Sequence, residues 1–396
     1  MDALTTPSNW QRVRLGDIGK PCMCKRVMKH QTTPYGEIPF YKIGTFGNTA
    51  DAFISKKLFL EYKTKYSFPK KGDILISASG TIGRAVIYDG KPAYFQDSNI
   101  VWIDNDETLV KNDFLFYAYS NIKWNTEHTT ILRLYNDNFR NTLIPLPPLN
   151  EQIAIANILS GLDHYLYTLD TLILKKESVK KALSFELLSQ RKRLKGFNQN
   201  WQRVRLGDIC YLKNGFSFKS DLFKNMGIPI IRISNISSVD NCINTNDLVF
   251  YDPILIDNDY ILKQGDLILA MSGATTGKSC LYNLNKIAYL NQRVGVFRAK
   301  TSFCYDFLVQ FVFSELFTSR LKLILTAGAQ PNISSFDIED FEILLPPLNE
   351  QIAIANILSA LDSEIISLKN KKRQFENIKK ALNHDLMSAK IRVLKK

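Results

Sequence analysis

The chain has 396 residues, 45% of them apolar and 22% charged, a globular composition with enough apolar material for more than one buried core. Its 51 Lys and Arg against 38 Asp and Glu leave a net charge of +13, which points to a polyanionic partner, nucleic acid before a membrane surface. Disordered and collagen-like classes are excluded, and six thinly spread cysteines (Cys22, Cys24, Cys210, Cys242, Cys280, Cys304) are no disulfide framework. No basic-then-apolar leader opens the chain and no uninterrupted apolar run reaches the roughly 18 residues a bilayer span needs, so no membrane association and a cytoplasmic location are expected.

The first predicted element is the opening run Asn9-Trp10-Gln11-Arg12-Val13-Arg14-Leu15-Gly16-Asp17-Ile18. Short β-branched runs follow, punctuated by Gly, Pro, Asn and Asp, as in Gly36–Ile43 and Lys71–Gly80; they predict strands and turns, closed by a helix over Phe114–Ser120. At residues 146–163 the chain reads LPPLNEQIAIANILSGLD. Behind the Pro147-Pro148 pair, Asn150 is expected to cap a long helix with Glu151 favourably in its first turn. Its apolar residues Ile155, Ile158, Leu162, Tyr165, Leu169, Leu172, Val179 and Leu183 step by three and four except where Lys176 intrudes, a coiled-coil seam. The same helix and its exit are basic, with Lys175, Lys176, Lys180, Lys181, Arg191, Lys192, Arg193 and Lys195.

Then the chain starts again. The opening run recurs without a change at Asn200–Ile209, and residues 345–362 read LPPLNEQIAIANILSALD, differing from 146–163 only in Ala360 for Gly161. Between these landmarks, Gly227–Ile233 aligns with Gly36–Ile43 and Gln264–Gly273 with Lys71–Gly80, and a helix is expected over Phe307–Leu325. The second long helix offers the seam Ile354, Ile357, Leu361, Leu368, Phe375, Ile378 and Leu382. The chain is a tandem duplication of one unit, an opening motif, a variable β-rich segment and a long helix. The predicted fold class is α+β. The division is 1–146 (first β-rich domain), 147–196 (helical spacer), 197–345 (second β-rich domain) and 346–396 (C-terminal helical spacer).

The chemistry-bearing motifs are weak. Gly273-Ala274-Thr275-Thr276-Gly277-Lys278-Ser279 follows a strand as a P-loop does, but has three residues between its glycines where a P-loop needs four. Its counterpart Gly80-Thr81-Ile82-Gly83-Arg84 is shorter still. A polar, basic, glycine-rich loop fits a nucleic-acid contact or a tight turn better than a nucleotide site. Cys22-Met23-Cys24 has no second Cys or His pair at metal-site spacing, and His30, His128, His164 and His384 stand in unrelated contexts. No catalytic residue and no metal ligand is expected.

Two Pro-Pro-Leu-Asn-Glu-Gln runs, each opening a long heptad helix and each preceded by a variable segment that begins Trp-x-x-Val-x-Leu-Gly-Asp, make the chain resemble the specificity subunit of type I restriction-modification systems over essentially its whole length. The resemblance implies a non-catalytic DNA-reading subunit. Two target-recognition domains, related by a pseudo-two-fold, would each read one half of a split double-stranded DNA site, and here the two halves should differ. The two long helices would form an antiparallel coiled coil that spaces the domains and docks two methyltransferase subunits, with motor-nuclease subunits joining the complex. No cofactor is expected on this chain; S-adenosylmethionine, ATP and Mg belong to the partners. The candidate DNA contacts are polar and basic residues of the variable segments: Lys42, Thr45, Ser79, Thr81, Arg84, Gln96 and Asn99 in the first, Arg232, Ser234, Asn235, Thr275, Thr276, Lys278, Asn291, Gln292 and Arg293 in the second. The rival readings are an enzyme with its own active site, which would require a nuclease carboxylate cluster or a methyltransferase motif set, and a solitary DNA-binding protein.

Overall fold

The computed structural model describes residues 7, 9–124, 133–134, 136–237, 241–327 and 332–393; His128 lies outside them. Two compact units emerge, Met1–Asp170 with Asn370–Lys396, and Thr171–Lys369. Both units therefore draw residues from both long helices.

In the first unit the opening motif forms strand Gln11–Arg14, paired antiparallel with Leu143–Leu146 immediately before the helix entry. A four-stranded antiparallel sheet runs Gly19–Met23, Ile100–Asn105, Ile74–Ser77, Ala85–Ile87. A second sheet places Ile38–Tyr41 between Phe53–Ile54 and the parallel strand Tyr94–Phe95. Strand Ile74–Ser77 is buried along its whole length, and its first three residues accordingly read as a continuous apolar run rather than an alternation. The expected helix over Phe114–Ser120 is Asn112–Tyr119.

The second unit repeats the plan. Gln202–Arg205 pairs with Glu342–Leu345; the four-stranded sheet is Cys210–Asn214, Val294–Ala299, Leu267–Ala270, Ser279–Leu281. The mixed sheet again pairs Ile228–Ile231 in parallel with Ala288–Leu290, and gains an edge strand, Ile261–Leu262. The helical stretch expected over Phe307–Leu325 is two helices, Tyr305–Val312 and Glu315–Ala327.

The long helices span Leu149–Leu188 and Leu348–Met387, each of 40 residues. Asn150 is thus inside the first helix rather than its cap, and its Oδ1 accepts from the Glu151 N–H. The inward positions of the first helix are Ile155, Leu159, Leu162, Leu166, Leu169, Ile173, Lys176, Lys180, Leu183 and Leu187. Those of the second are Ile354, Leu358, Leu361, Ile365, Leu368, Lys372, Phe375, Lys379, Leu382 and Leu386. Both are strict alternations of four and three, the spacing of a coiled-coil seam. Five expected seam residues are corrected by this register: Ile158, Leu172, Val179, Ile357 and Ile378 are exposed. Tyr165 flanks the seam, with its ring 4.7 Å from that of Phe375.

Lys176, which intrudes on the apolar spacing of the first helix, is a seam residue, and so are Lys180, Lys372 and Lys379. In the first unit Lys379 pairs with Asp163, and Lys372 with Asp170 at 2.6 Å. In the second, Lys180 pairs with Asp362, and Lys176 with Glu364 at 2.8 Å. As numbers rise on one helix they fall on the other, so within each unit the two helix segments run antiparallel. Among the described residues the second helix is the one long and apolar enough to cross a bilayer; part of its apolar surface serves the seam, and Leu348, Ile352, Ile357, Ile366 and Ile378 are exposed.

Candidate functional site

Each long helix begins in a buried clamp. Glu151, 2% exposed, accepts from Trp10 Nε1 at 3.1 Å and from Arg392 Nε and Nη2 at 2.7 and 2.9 Å. In the second unit Glu350, fully buried, accepts from Trp201 Nε1 at 2.8 Å and Arg193 Nη2 at 2.7 Å, with Arg193 Nε at 3.3 Å. A carboxylate taken out of water needs such charge-assisted donors on both oxygens. The next residue locks the helix to its own domain. Gln152 accepts from the Lys111 N–H at 2.9 Å and donates to the Pro147 carbonyl at 2.9 Å; Gln351 accepts from the Cys304 N–H at 2.9 Å and donates to Pro346 at 2.7 Å. The helix-dipole role expected for Glu151 is therefore secondary to an ion pair. Trp10, Trp201, Arg392 and Arg193 recur at the offsets of the repeats, so the partners were findable as repeated residues, though nothing in the sequence says that they meet.

The second assembly is a cluster of loops, built the same way in each unit. In the first, the turn between strands Ile74–Ser77 and Ala85–Ile87 is closed by Gly83 N–H to Ser77 O at 2.9 Å and Ser77 N–H to Arg84 O at 3.0 Å. In the second, Gly277 N–H to Ala270 O and Ala270 N–H to Lys278 O, both 2.8 Å, close the equivalent turn. Gly83 has φ +83° and a Cβ there would run into the Trp124 indole; Gly277 has φ +84° and a Cβ would meet Leu321 at 2.8 Å. A side chain at either position would be strained by the left-handed backbone and would have to displace its neighbour. The glycine-rich run 273–279 leads from strand to strand, not into a helix, so the geometry is a hairpin and not a phosphate-cradling P-loop.

Two further loops meet each hairpin. In the first unit Ser79 Oγ donates to Asn99 Oδ1 at 2.9 Å, the Ile43 N–H donates to Gln96 Oε1 at 2.9 Å, and Arg133 Nη2 reaches Ser98 O at 2.9 Å. In the second, Thr275 Oγ1 donates to Ile233 O at 3.1 Å, and Met271 N–H to Arg293 O at 2.9 Å. The structure thus brings the sequence candidates together, one set per unit, but gives many of them internal tasks. Thr45 caps the Lys42 N–H at 3.1 Å, Lys42 pairs with Asp51 at 2.8 Å, and Ser79 is buried. Asn235, wholly buried, holds the Arg232 N–H at 3.0 Å; Arg232 pairs with Asp247 at 2.9 Å; Thr276 Oγ1 donates to Gly273 O at 2.5 Å. Thr81, Arg84, Ser234, Gln292 and Arg293 are exposed and Lys278 and Asn291 are half-buried; the Ser77 hydroxyl meets the Thr81 carbonyl and the Arg84 N–H, but among the described residues none of the seven side chains itself makes a hydrogen bond or ion pair.

No three His, Cys, Asp or Glu side chains come together to hold a metal among the described residues. Burial pushes the Cys24 and Cys210 thiols up to about 12, so neither supplies a thiolate at neutral pH.

This geometry gives two α+β units of one plan, each with a loop cluster and a pair of antiparallel helix segments. Residues 7–177 and 198–377 both match the Type I restriction modification DNA specificity domain. The type I restriction enzyme MjaVIII specificity subunit of Methanocaldococcus jannaschii is 30% identical over 421 aligned residues, covering 99% of this chain and 95% of that protein. A putative type I restriction enzyme specificity subunit of Haemophilus influenzae, S.HindORF215P, is 64% identical over 148 residues, 37% of this chain and 38% of that one. Among solved structures, the S subunit of a type I restriction-modification system from M. genitalium superposes with a TM-score of 0.63 at 17% identity, covering 97% of both chains. The chain belongs to the type I restriction-modification specificity-subunit family and carries two copies of its DNA specificity domain.

Proposed function

We propose that this chain reads a split, asymmetric DNA site, one half with each loop cluster, and carries the reading to methyltransferase subunits and motor-nuclease subunits that supply all the chemistry. In this reading the protein works in the cytoplasm and binds no cofactor itself; S-adenosylmethionine, ATP and Mg act on the partners. The observation that carries it is the pair of loop clusters, equivalent in backbone and different in side chains, each presenting unengaged donors in a chain of net charge +13.

Docking is supported by a different feature. Burial accounts for the identity of Pro147, Glu151 and Gln152 with Pro346, Glu350 and Gln351. It does not account for Leu149, Asn150, Ile153, Asn157 and Ile158, which are exposed yet identical to the exposed Leu348, Asn349, Ile352, Asn356 and Ile357. Exposed helix positions drift freely unless something binds them, and a methyltransferase subunit seated on each helix entry would require the same face twice.

The test is co-expression with the methyltransferase subunit in cells lacking other adenine methylation, with long-read mapping of modified bases. A bipartite motif with two different halves, absent without this chain, supports the reading; untargeted or absent methylation refutes it. The pair Ile153→Asp and Ile352→Asp should abolish co-purification of the methyltransferase while leaving the melting temperature of the chain unchanged.

A further inference from the structure

Resting on the reading above, we infer a division of labour inside each loop cluster: Arg84 and its counterpart Lys278 hold a DNA phosphate, and Asn99 and its counterpart Arg293 set the base preferred at one equivalent position of each half-site. The counterparts are defined by backbone, not by sequence. Arg84 O and Lys278 O close the two hairpins by the same hydrogen bond. Asn99 O accepts from the Ala78 N–H at 2.8 Å as Arg293 O does from Met271 at 2.9 Å, and Ala78 O and Met271 O in turn accept from Leu134 and Ile333 at 2.8 and 2.9 Å.

Most cations around the clusters are occupied. Arg26 pairs with Asp97, Lys42 with Asp51 and Arg232 with Asp247, while Arg133 is hydrogen-bonded to Ser98 O. Arg84, Lys278 and Arg293 have no acidic or carbonyl partner among the described residues. Position 84/278 keeps its charge while exchanging a planar fork for a point charge. A phosphate oxygen accepts either donor, whereas a base edge that suits the fork does not suit the ammonium in the same way.

Position 99/293 does the opposite and changes chemistry altogether. In the first cluster Ser79 Oγ donates to Asn99 Oδ1 at 2.9 Å, which fixes the amide and leaves one lone pair and both N–H hydrogens, the pattern that pairs with adenine N6 and N7. In the second, Arg293 is exposed, and Ser272 Oγ, at the place of Ser79, is buried without a partner. The guanidinium is thus not held inward by the serine, and its fork matches guanine O6 and N7.

The experiment uses the chain assembled with its methyltransferase subunit. Arg293→Ala is the primary variant, since the residue is exposed and unpartnered and its loss should not disturb the fold. The expected result is a methylated motif that becomes degenerate at one base of one half-site, the other half unchanged; Asn99→Ala should do the same in the opposite half. Arg84→Ala and Lys278→Ala should lower occupancy at all motif sequences evenly, and flatten the salt dependence of binding by about one in log–log slope. Arg84→Lys and Lys278→Arg should leave the motif intact. An Arg293→Ala motif identical to that of the unmodified chain, or one weakened evenly at every site, overturns the base assignment, and a changed base in Arg84→Lys overturns the phosphate assignment. Absence of site-specific methylation with the unmodified chain would instead refute the underlying reading.

Discussion

Glu151 in the first unit and Glu350 in the second hold a tryptophan N–H and an arginine fork in the same way, whereas the hairpins at Ser77–Arg84 and Ala270–Lys278 share a backbone and little else. The difference follows from where each group sits. Removing one member of a buried ion pair strands the other in a medium that cannot solvate it, so the clamp can change only all at once. In the loops the hydrogen bonds that fix the shape are made by backbone and by buried or half-buried side chains such as Ser79, Gln96, Asn235 and Thr275, while among the described residues the exposed side chains of Thr81, Arg84, Ser234, Gln292 and Arg293 make no hydrogen bond or ion pair inside the protein. One scaffold can therefore carry two different surfaces.

The sharpest way to break this comparison is at the clamp. Glu350→Ala leaves Arg193 and the Trp201 N–H without their acceptor and should cost about 3–5 kcal/mol, read as a lower midpoint in urea unfolding; replacing Glu350 and Arg193 together by Met should cost less than Glu350→Ala alone. Next come the seam positions. Leu159→Ala and Leu358→Ala, both fully buried, should each lose about 2–5 kcal/mol, while Ile158→Ser, one residue away, should stay within about 0.5 kcal/mol. A reversed order would show the other register. At the hairpins, Gly83→Ala and Gly277→Ala force a side chain into left-handed backbone and into Trp124 or Leu321, and should cost about 1–3 kcal/mol, visible as a lower Tm in either unit. The smallest effect is expected at the unengaged loop residues: Thr81→Ala and Gln292→Ala should move stability by less than about 0.5 kcal/mol. A larger change would mean that these side chains serve the fold after all.

The duplication, the α+β class and the two helices were legible because repetition and heptad spacing survive any packing detail. The seam register was only half legible. Ile158 and Leu159, or Leu172 and Ile173, stand side by side, and a three-four count fits either of each pair. Lys176 looked like an intrusion because its acidic partner, Glu364, lies almost half a chain away in sequence. In the loops the same ambiguity is chemical. Thr45, Asn235 and Thr275 have the groups that could meet a base edge, but those groups also cap turns, and only coordinates show which hydroxyls and amides are already spent. The clamp was invisible for a third reason: a glutamate in the first turn of a helix has a sufficient local explanation.

In the first unit the clamp also gives the chain a mechanical character. Trp10 and Arg392 lie near opposite ends of the polypeptide yet close on the two oxygens of one carboxylate. Tension applied between Trp10 and Arg392 would load Glu151 directly, with the strand that starts at Gln11 sharing the load on one side. The domain between would feel it only after those bonds had parted, so a pulled molecule should yield first at its seam of closure and keep its recognition loops in shape until then.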